Sequence, residues 1–234
     1  MNIALLGMGR MGKSISKLAK VRNHEIVFTL DKNKFEGNLK EANIALNFSV
    51  PDAAVSNIKM ALEEGIPVVS GTTGWLDRYN EIADLCLKKN TAFLYASNFS
   101  IGVNLFFKIN KMVAKIMQKQ KDDYKVSIKE THHIHKLDSP SGTAISLAES
   151  ILEKGYYNAW ELNGKSNEKL NIDVFREGEI TGIHSVNYSS EFDEISIKHE
   201  ATSRHAFALG AIIAAEWIHK KKGVFTMGDV LNIS

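Results

Sequence analysis

The constraint that reaches furthest is a glycine pattern close to the start of the chain. Gly7-Met8-Gly9-Arg10-Met11-Gly12 directly follows the apolar run Ile3-Ala4-Leu5-Leu6 and opens a helix-like stretch. In that setting each glycine has a physical task. Gly7 makes the tight turn, Gly9 lets backbone approach a pyrophosphate without a Cβ in the way, and Gly12 lets the helix pack on the strand. The helix N-terminus adds N–H groups and the positive end of the peptide dipoles, which attract phosphate. Asp31 lies nineteen residues beyond Gly12, at the end of the next apolar run. A carboxylate there accepts hydrogen bonds from a ribose diol. Lys32 beside it attracts a 2′-phosphate that the acid repels, so use of both NADH and NADPH is expected. The alternatives are a glycine turn that serves packing alone and a Lys32 that is a solvated surface residue.

The next eighty residues keep the rhythm this turn begins. Apolar runs at Ile3–Leu6, Glu25–Leu30, Ile44–Phe48, Pro67–Ser70 and Thr91–Tyr95 are continuous rather than alternating, as in strands buried on both faces. Between them lie helical stretches, clearest from Pro51 to about Glu64, with proline at the first helical position, Asp52 in the first turn and Gly65 placed to end it. This rhythm gives right-handed crossovers and an α/β Rossmann-type parallel sheet with helices on both faces.

From about Asn98 the pattern changes. A long amphipathic helix is expected from Val103 to Lys119, then strands at Tyr124–Thr131, Ile172–Arg176, Ile180–Tyr188 and Glu194–His199, with a surface loop from Asn163 to Asn171. Alternation in the later strands predicts a mixed sheet with one covered face, in an α+β substrate and oligomerisation domain. A final helix from about Ala206 to Lys221 places Phe207, Ala211, Ala214 and Trp217 near one stripe, with Lys220, Lys221 and Lys222 favourable at its C-terminal end. The expected division is 1–98 with 205–234 for the dinucleotide and 99–204 for the substrate.

Composition narrows the partners. In 234 residues, 29 Lys and Arg against 27 Asp and Glu leave a formal charge of +2, so no overall field advertises nucleic acid or a membrane surface. Cys86 alone permits no disulfide framework. The longest apolar run, Ala206 to Ala215, is too short for a membrane span, and no basic leader precedes the first strand. A soluble, cytoplasmic protein is expected.

Two further constellations carry chemistry. Glu130-Thr131-His132-His133-Ile134-His135-Lys136 lies at a strand end outside the cofactor domain. A histidine that titrates near neutrality and a nearby lysine can supply protons beside an electron-accepting carbon, and each can bind an anion. Three histidines in four residues also suit zinc, but no thiolate or carboxylate ligand pattern accompanies them; no metal is expected. The other alternative is a structural histidine cluster. Two residues after Lys136 begins the series Asp138-Ser139-Pro140-Ser141-Gly142-Thr143-Ala144, leading into the apolar stretch Ile145–Leu152. Unpaired N–H groups at that helix start, with two hydroxyls, make an anion site suited to a carboxylate. Simple N-capping by Ser141 is the alternative.

Together with Gly71-Thr72-Thr73-Gly74, Ser97-Asn98-Phe99-Ser100-Ile101-Gly102-Val103-Asn104, Arg176-Glu177-Gly178-Glu179 with Gly182 and His184, and His199-Glu200-Ala201 with Arg204, these motifs resemble the 4-hydroxy-tetrahydrodipicolinate reductase (dihydrodipicolinate reductase) family from end to end. The resemblance implies NAD(P)H-dependent reduction of a cyclic dicarboxylate to tetrahydrodipicolinate in lysine and diaminopimelate biosynthesis. It implies His132 as proton donor or acceptor and Lys136 as second proton donor, with His133, Gly142 and Thr143 on substrate carboxylate. It places Gly71, Thr72 and Thr73 at the nicotinamide and Ala96, Ser97, Asn98 and Phe99 at the hinge-side strand end of the cofactor site. It also implies a homotetramer, a final helix that returns to the nucleotide domain, and closure about junctions near Asn98 and Arg204 that assembles the site. The sequence departs from the family pattern at Asp31-Lys32, where Glu-Arg is more usual, at Ser97 and Ser139, and between Asn38 and Ile44, where a longer crossover with its helix is almost absent. Two rival functions stand beside the reductase: a nucleotide-binding regulator without catalysis, and a metal-dependent hydrolase or lyase on His132, His133 and His135.

Overall fold

A computed structural model describes every residue of the chain except Asn33, Lys165, Arg204 and Ser234; the expected junction at Arg204 lies outside the described residues. The chain forms two compact units, Met1–Ile101 with His205–Ser234, and Gly102–Arg204.

The first unit begins β1 (Asn2–Leu6), α1 (Arg10–Val21), β2 (Glu25–Asp31), β3 (Lys34–Gly37), β4 (Ile44–Asn47), α2 (Pro51–Glu63), β5 (Val68–Ser70), α3 (Tyr79–Lys88) and β6 (Ala92–Tyr95). The second unit contains α4 (Ile101–Met117), which starts on the last residue of the first, then β7 (Lys125–His132), α5 (Gly142–Leu152), β8 (Trp160–Leu162), β9 (Leu170–Arg176), β10 (Ile183–Ser189) and β11 (Glu194–Glu200). The chain then returns to the first unit as α6 (His205–Ile218), β12 (Gly223–Phe225) and α7 (Met227–Leu231).

The first sheet has the order β12-β6-β5-β4-β1-β2-β3. All its pairings are parallel except the hairpin of β2 with β3. Chain order therefore runs outward from β1 in both directions, and the switch point falls between β1 and β4, where doubly wound folds place their ligands. Two apolar clusters flank the sheet, one gathering Ile3, Leu5, Ile15 and Ile212, the other Leu6, Ile58, Ile82 and Phe93, so its strands are buried on both faces as their continuous apolar runs require. Phe99, expected in the second domain, is only 2% exposed within the first cluster, and the division falls after Ile101.

Three short strands escape the sequence reading. β3 is an antiparallel edge strand with exposed residues throughout, so it carries no burial pattern. The crossover after it is a single 3-10 turn, Leu39–Glu41. β8 and β12 have three residues each, too few to show a period. The stripe expected on α6 is too narrow: Ala208, Gly210, Ala211, Ile212, Ala214, Ala215 and Ile218 are all buried, which makes this an interior helix. Gly210 admits it, since a Cβ there would lie 1.7 Å from the Phe99 carbonyl oxygen. α6 ends at Ile218, three residues early, and the Lys221 ammonium lies 4.1 Å over the Trp217 ring.

The second sheet, β11-β10-β7-β9-β8, is mixed: β7 and β9 run parallel, and β10 is antiparallel to both neighbours. β10 starts at Ile183 rather than Ile180, because the chain turns from Glu177 to Ile180, with Gly178 at φ +44°. β7 alternates cleanly, burying Val126, Ile128, Glu130 and His132. Its buried side packs on Phe106, Ala114 and Met117 of α4 and on Ala144, Leu147, Ala148 and Ile151 of α5. Two of the four inward positions on β7 are therefore polar, and both lie at the strand's C-terminal end.

Candidate active site

The glycine turn leaves β1 at the switch point. Gly7 has φ +108°, and a Cβ on it would lie 2.3 Å from the Phe48 carbonyl oxygen, beside the end of β4. A Cβ on Gly12 would lie 2.0 Å from the Gly7 carbonyl oxygen, so helix and turn close only with hydrogen at that position. Gly9 differs: it caps α1, is exposed, and a Cβ on it would meet nothing within 4 Å. Its lack of a side chain answers no internal demand, which is what an approach site for a dinucleotide requires. The Asp31 carboxylate accepts from the Met8 N–H at 3.4 Å, which sets it beside the turn, while Lys32 is exposed at φ +47°. Arg10 is exposed at the first position of α1.

An open cleft of about 220 Å³ adjoins the turn, lined by Met11, Phe48, Ser49, Pro51, Gly71, Thr72 and Thr73. Its floor is a buried polar network. Asn47 donates to Ser70 Oγ at 3.0 Å, Ser49 donates to Asn47 Oδ1 at 2.9 Å, the Ser49 N–H donates to Thr72 Oγ1 at 2.9 Å, and Trp75 Nε1 donates to the Thr72 carbonyl at 2.6 Å. Gly71 is needed because a Cβ would strike the Phe48 ring. Of the strand-end residues, Asn98 accepts from the Ser100 N–H, Ala96 donates to the Ser70 carbonyl, Ser97 is exposed, and Phe99 packs its ring 5.4 Å from that of Phe48. Phe99 thus stands behind the cleft wall. Sequence reading missed Phe48, Ser49 and Pro51, which sit in no glycine motif and reach the cleft only through the β1–β4 crossover.

The second unit holds the histidine cluster. His132 ends β7 facing the helices, 7% exposed, with its ring 5.0 Å from that of His184. Gly182 makes room for it, since a Cβ there would lie 3.1 Å from His132 Nε2. Burial, then the neighbouring His184, pushes the His132 imidazole down to about 4, against the opposing pull of Glu130. His133 and His135 face elsewhere, their rings 6.2 Å apart, with His135 beside the exposed Glu179. The three adjacent histidines therefore do not converge. Lys136 Nζ donates to both oxygens of Asp138 at 2.7 and 2.8 Å.

What does converge is Glu130, fully buried, with His132 and His184. The three have the spacing of a metal site, yet both oxygens of Glu130 already accept hydrogen bonds. Its Oε2 accepts the Ser141 N–H at 3.0 Å and the Ser141 hydroxyl, and its Oε1 accepts Arg176 Nη1 at 3.3 Å. Burial opposes its charge, but His184, whose Nε2 lies 3.6 Å from Oε2, and the hydrogen bonds from Ser141 outweigh that and hold its carboxyl near 2. Ser141 is buried and caps α5, its Oγ accepting from the Ala144 N–H at 3.2 Å. Its donors are spent inward, so Gly142 and Thr143, exposed and half-buried, form the accessible part of the expected anion site. Glu130, Arg176 and His184 were not expected as site residues; the signal was a charged or polar residue at an inward strand position.

Comparison with known proteins follows the same division. Residues 1–99 match the family model described as dihydrodipicolinate reductase, N-terminus, and residues 102–231 match that of its C-terminus. The 4-hydroxy-tetrahydrodipicolinate reductase of Christiangramia forsetii is 50% identical over 235 residues, covering 99% of this chain and 98% of that one. That of Archaeoglobus fulgidus is 36% identical over 262 residues, covering 99% and 100%. A solved dipicolinate-bound dihydrodipicolinate reductase from Paenisporosarcina sp. TG-14 superimposes with a TM-score of 0.80 at 22% identity, covering 97% of each chain. A probable dehydrogenase from Thermotoga maritima shares the fold more loosely, with a TM-score of 0.56 at 10% identity over 100% of this chain and 93% of that one. With both halves matched and half its residues shared with a full-length relative, the chain belongs to the dihydrodipicolinate reductase family.

Proposed function

We propose that this chain reduces 4-hydroxy-tetrahydrodipicolinate to tetrahydrodipicolinate with NADH or NADPH, in lysine and diaminopimelate biosynthesis. The observation that carries the reading is one chain holding both an open Gly9 turn at a sheet switch point and a buried His132 near Lys136 and the α5 N-terminus. Family membership supports the same pairing.

The first unit fits a nicotinamide dinucleotide. Gly7, Met8, Gly9, Arg10, Met11 and Gly12 would hold the pyrophosphate, Asp31 and Lys32 the adenosine ribose, and Gly71, Thr72 and Thr73 the nicotinamide, with Ala96, Ser97, Asn98 and Phe99 bracing the strand end. When bound, NADH or NADPH supplies a hydride. The second unit manages charge and protons. Gly142 and Thr143 offer first-turn N–H groups to one substrate carboxylate, beside His133; Ser141 supports that turn from within. Lys136 exchanges Asp138 for the substrate, a swap between carboxylates that keeps its ammonium paired. His132 starts neutral; a dianion placed beside it raises its proton affinity, so substrate binding itself loads the acid. Planar dipicolinate should occupy the same site.

The protein is further proposed to act in the cytoplasm as a homotetramer. Among the described residues no helix is long and apolar enough to cross a membrane. The sheet face opposite α4 and α5 presents Lys125, Ser127, Lys129 and Thr131 of β7 with the exposed Phe175, uncovered by its own unit.

The test follows NAD(P)H absorbance with enzymatically generated substrate, using both cofactors. His132→Gln and Lys136→Ala should each lower kcat by about 10²- to 10⁴-fold, the usual worth of a positioned proton donor. Full activity in both variants would overturn the assigned roles, and paired NADH and NADPH kinetics would settle the Asp31-Lys32 preference.

A further inference from the structure

Arg176 ends β9 at an inward position, directly opposite His132 in the register. A cation beside a site for a dicarboxylate invites the assumption that it binds substrate. Four of its five N–H donors are committed otherwise. Nη2 donates to the Asp138 carbonyl at 2.7 Å, Nε to the Lys136 carbonyl at 3.4 Å, and Nη1 to the Phe175 carbonyl at 2.8 Å and to Glu130 Oε1. Two of those acceptors are backbone carbonyls of the loop between β7 and α5, the loop that carries Lys136.

Glu130 completes the arrangement from the other end. While its Oε1 holds the guanidinium, its Oε2 holds the N–H and hydroxyl of Ser141, where that loop enters α5. His184 Nε2 lies 3.0 Å from the same hydroxyl. The loop is thus gripped at Lys136, Asp138 and Ser141 by one ion pair between the half-buried Arg176 and the buried Glu130, whose charges largely cancel. A planar guanidinium suits this task because its fork reaches several acceptors in fixed geometry, which an ammonium cannot do.

We propose that Arg176 and Glu130 are positioning residues: as one ion-paired clasp they fix the loop that presents Lys136 and the α5 N-terminus, and Arg176 does not itself bind substrate. The inference rests on the reductase reading for the role of Lys136, while the clasp can be observed without it.

The experiment compares wild type, Arg176→Lys, Glu130→Gln and Lys136→Ala, with Arg176→Lys and Glu130→Gln each also placed in the Lys136→Ala background. Three quantities are read: kcat/KM, dipicolinate affinity by calorimetry, and amide hydrogen exchange over residues 133–141. Arg176→Lys should lower kcat/KM tenfold or more in the wild-type background and by a distinctly smaller factor once Lys136 is absent, because part of its effect passes through that side chain. Dipicolinate affinity should fall while NADH affinity holds, and exchange over 133–141 should accelerate. Equal losses in both backgrounds would overturn the proposal in favour of direct substrate contact, as would unchanged exchange. Glu130→Gln should behave alike, and failure of both single variants to fold would replace positioning with a purely structural role. A wild-type chain that neither oxidises NAD(P)H nor binds dipicolinate, with exchange over 133–141 still accelerated in Arg176→Lys and Glu130→Gln, would remove the reductase reading and leave the clasp standing.

Discussion

Glu130 occupies an inward strand position that alternation reserves for apolar side chains, and its ionised form survives there only because every oxygen is engaged. His132, two residues on, answers the same burial by remaining neutral. Both depressed values cost stability on acidification, over different pH windows. His132 falls from an ordinary value of 6.5 to about 4, so between those values the unfolded chain binds a proton that the folded chain refuses, and stability declines on acidification. Glu130 falls from 4.5 to about 2, so its contribution is complete above 4.5 and is lost only as pH drops below that. Denaturant unfolding at pH 7 and pH 5 isolates the first. Wild type should lose on the order of 2 kcal/mol more than His132→Gln across that interval, since each pH unit of differential protonation is worth about 1.4 kcal/mol. Equal losses would place the His132 imidazole in a more solvated setting than its burial indicates.

At the scale of elements, the β1–α1 turn separates folding from binding within six residues. Gly7 is required by the fold: at φ +108°, with the Phe48 carbonyl 2.3 Å from where a Cβ would stand, any side chain strains the turn. Gly9 is required by nothing around it. Gly7→Ala should therefore cost about 2 kcal/mol or more of unfolding free energy, whereas Gly9→Ala should stay within about 0.5 kcal/mol of wild type and weaken NADH binding tenfold or more. Denaturant titration and calorimetry with NADH, run on both variants, check the pair. A stable Gly9→Ala that binds NADH normally would remove the close backbone approach from the cofactor model. The motif made all three glycines legible, but not this difference, because the Phe48 carbonyl follows the end of β4, 41 residues away in sequence.

For the whole molecule, the remaining question is what covers the bare face of the second sheet. Its buried side is satisfied by α4 and α5, and its other side carries lysines, small hydroxyls and Phe175. A face of this kind, polar with Phe175 exposed on it, is where copies of the chain are expected to meet. Sedimentation or light scattering should give four times the 26.0 kDa chain mass. Lys129→Glu, near the centre of β7, should lower that mass while leaving NADH binding intact, since the residues that fit the dinucleotide belong to the first unit. A monomer in solution would remove the tetramer.

The sequence by itself determined the periodic and the punctuated features: five strands of the first sheet from continuous apolar runs, α2 from its proline, acid and glycine, and the dinucleotide turn from glycines whose meaning is local. It also named His132, Lys136, Gly142 and Thr143, which lie within a dozen residues of one another. Tertiary structure decided what short segments and distant pairs do. β3, β8 and β12 exist because a neighbouring strand offers an edge, not because their own residues insist. The three histidines part company because β7 ends at His132, sending that ring inward toward His184 while the chain turns away with the others. Glu130 and Arg176 are 46 residues apart in sequence, and only sheet register brings their charges together. Burial and charge pairing depend on what lies across a strand, and that information resides in the fold rather than in the local run of residues.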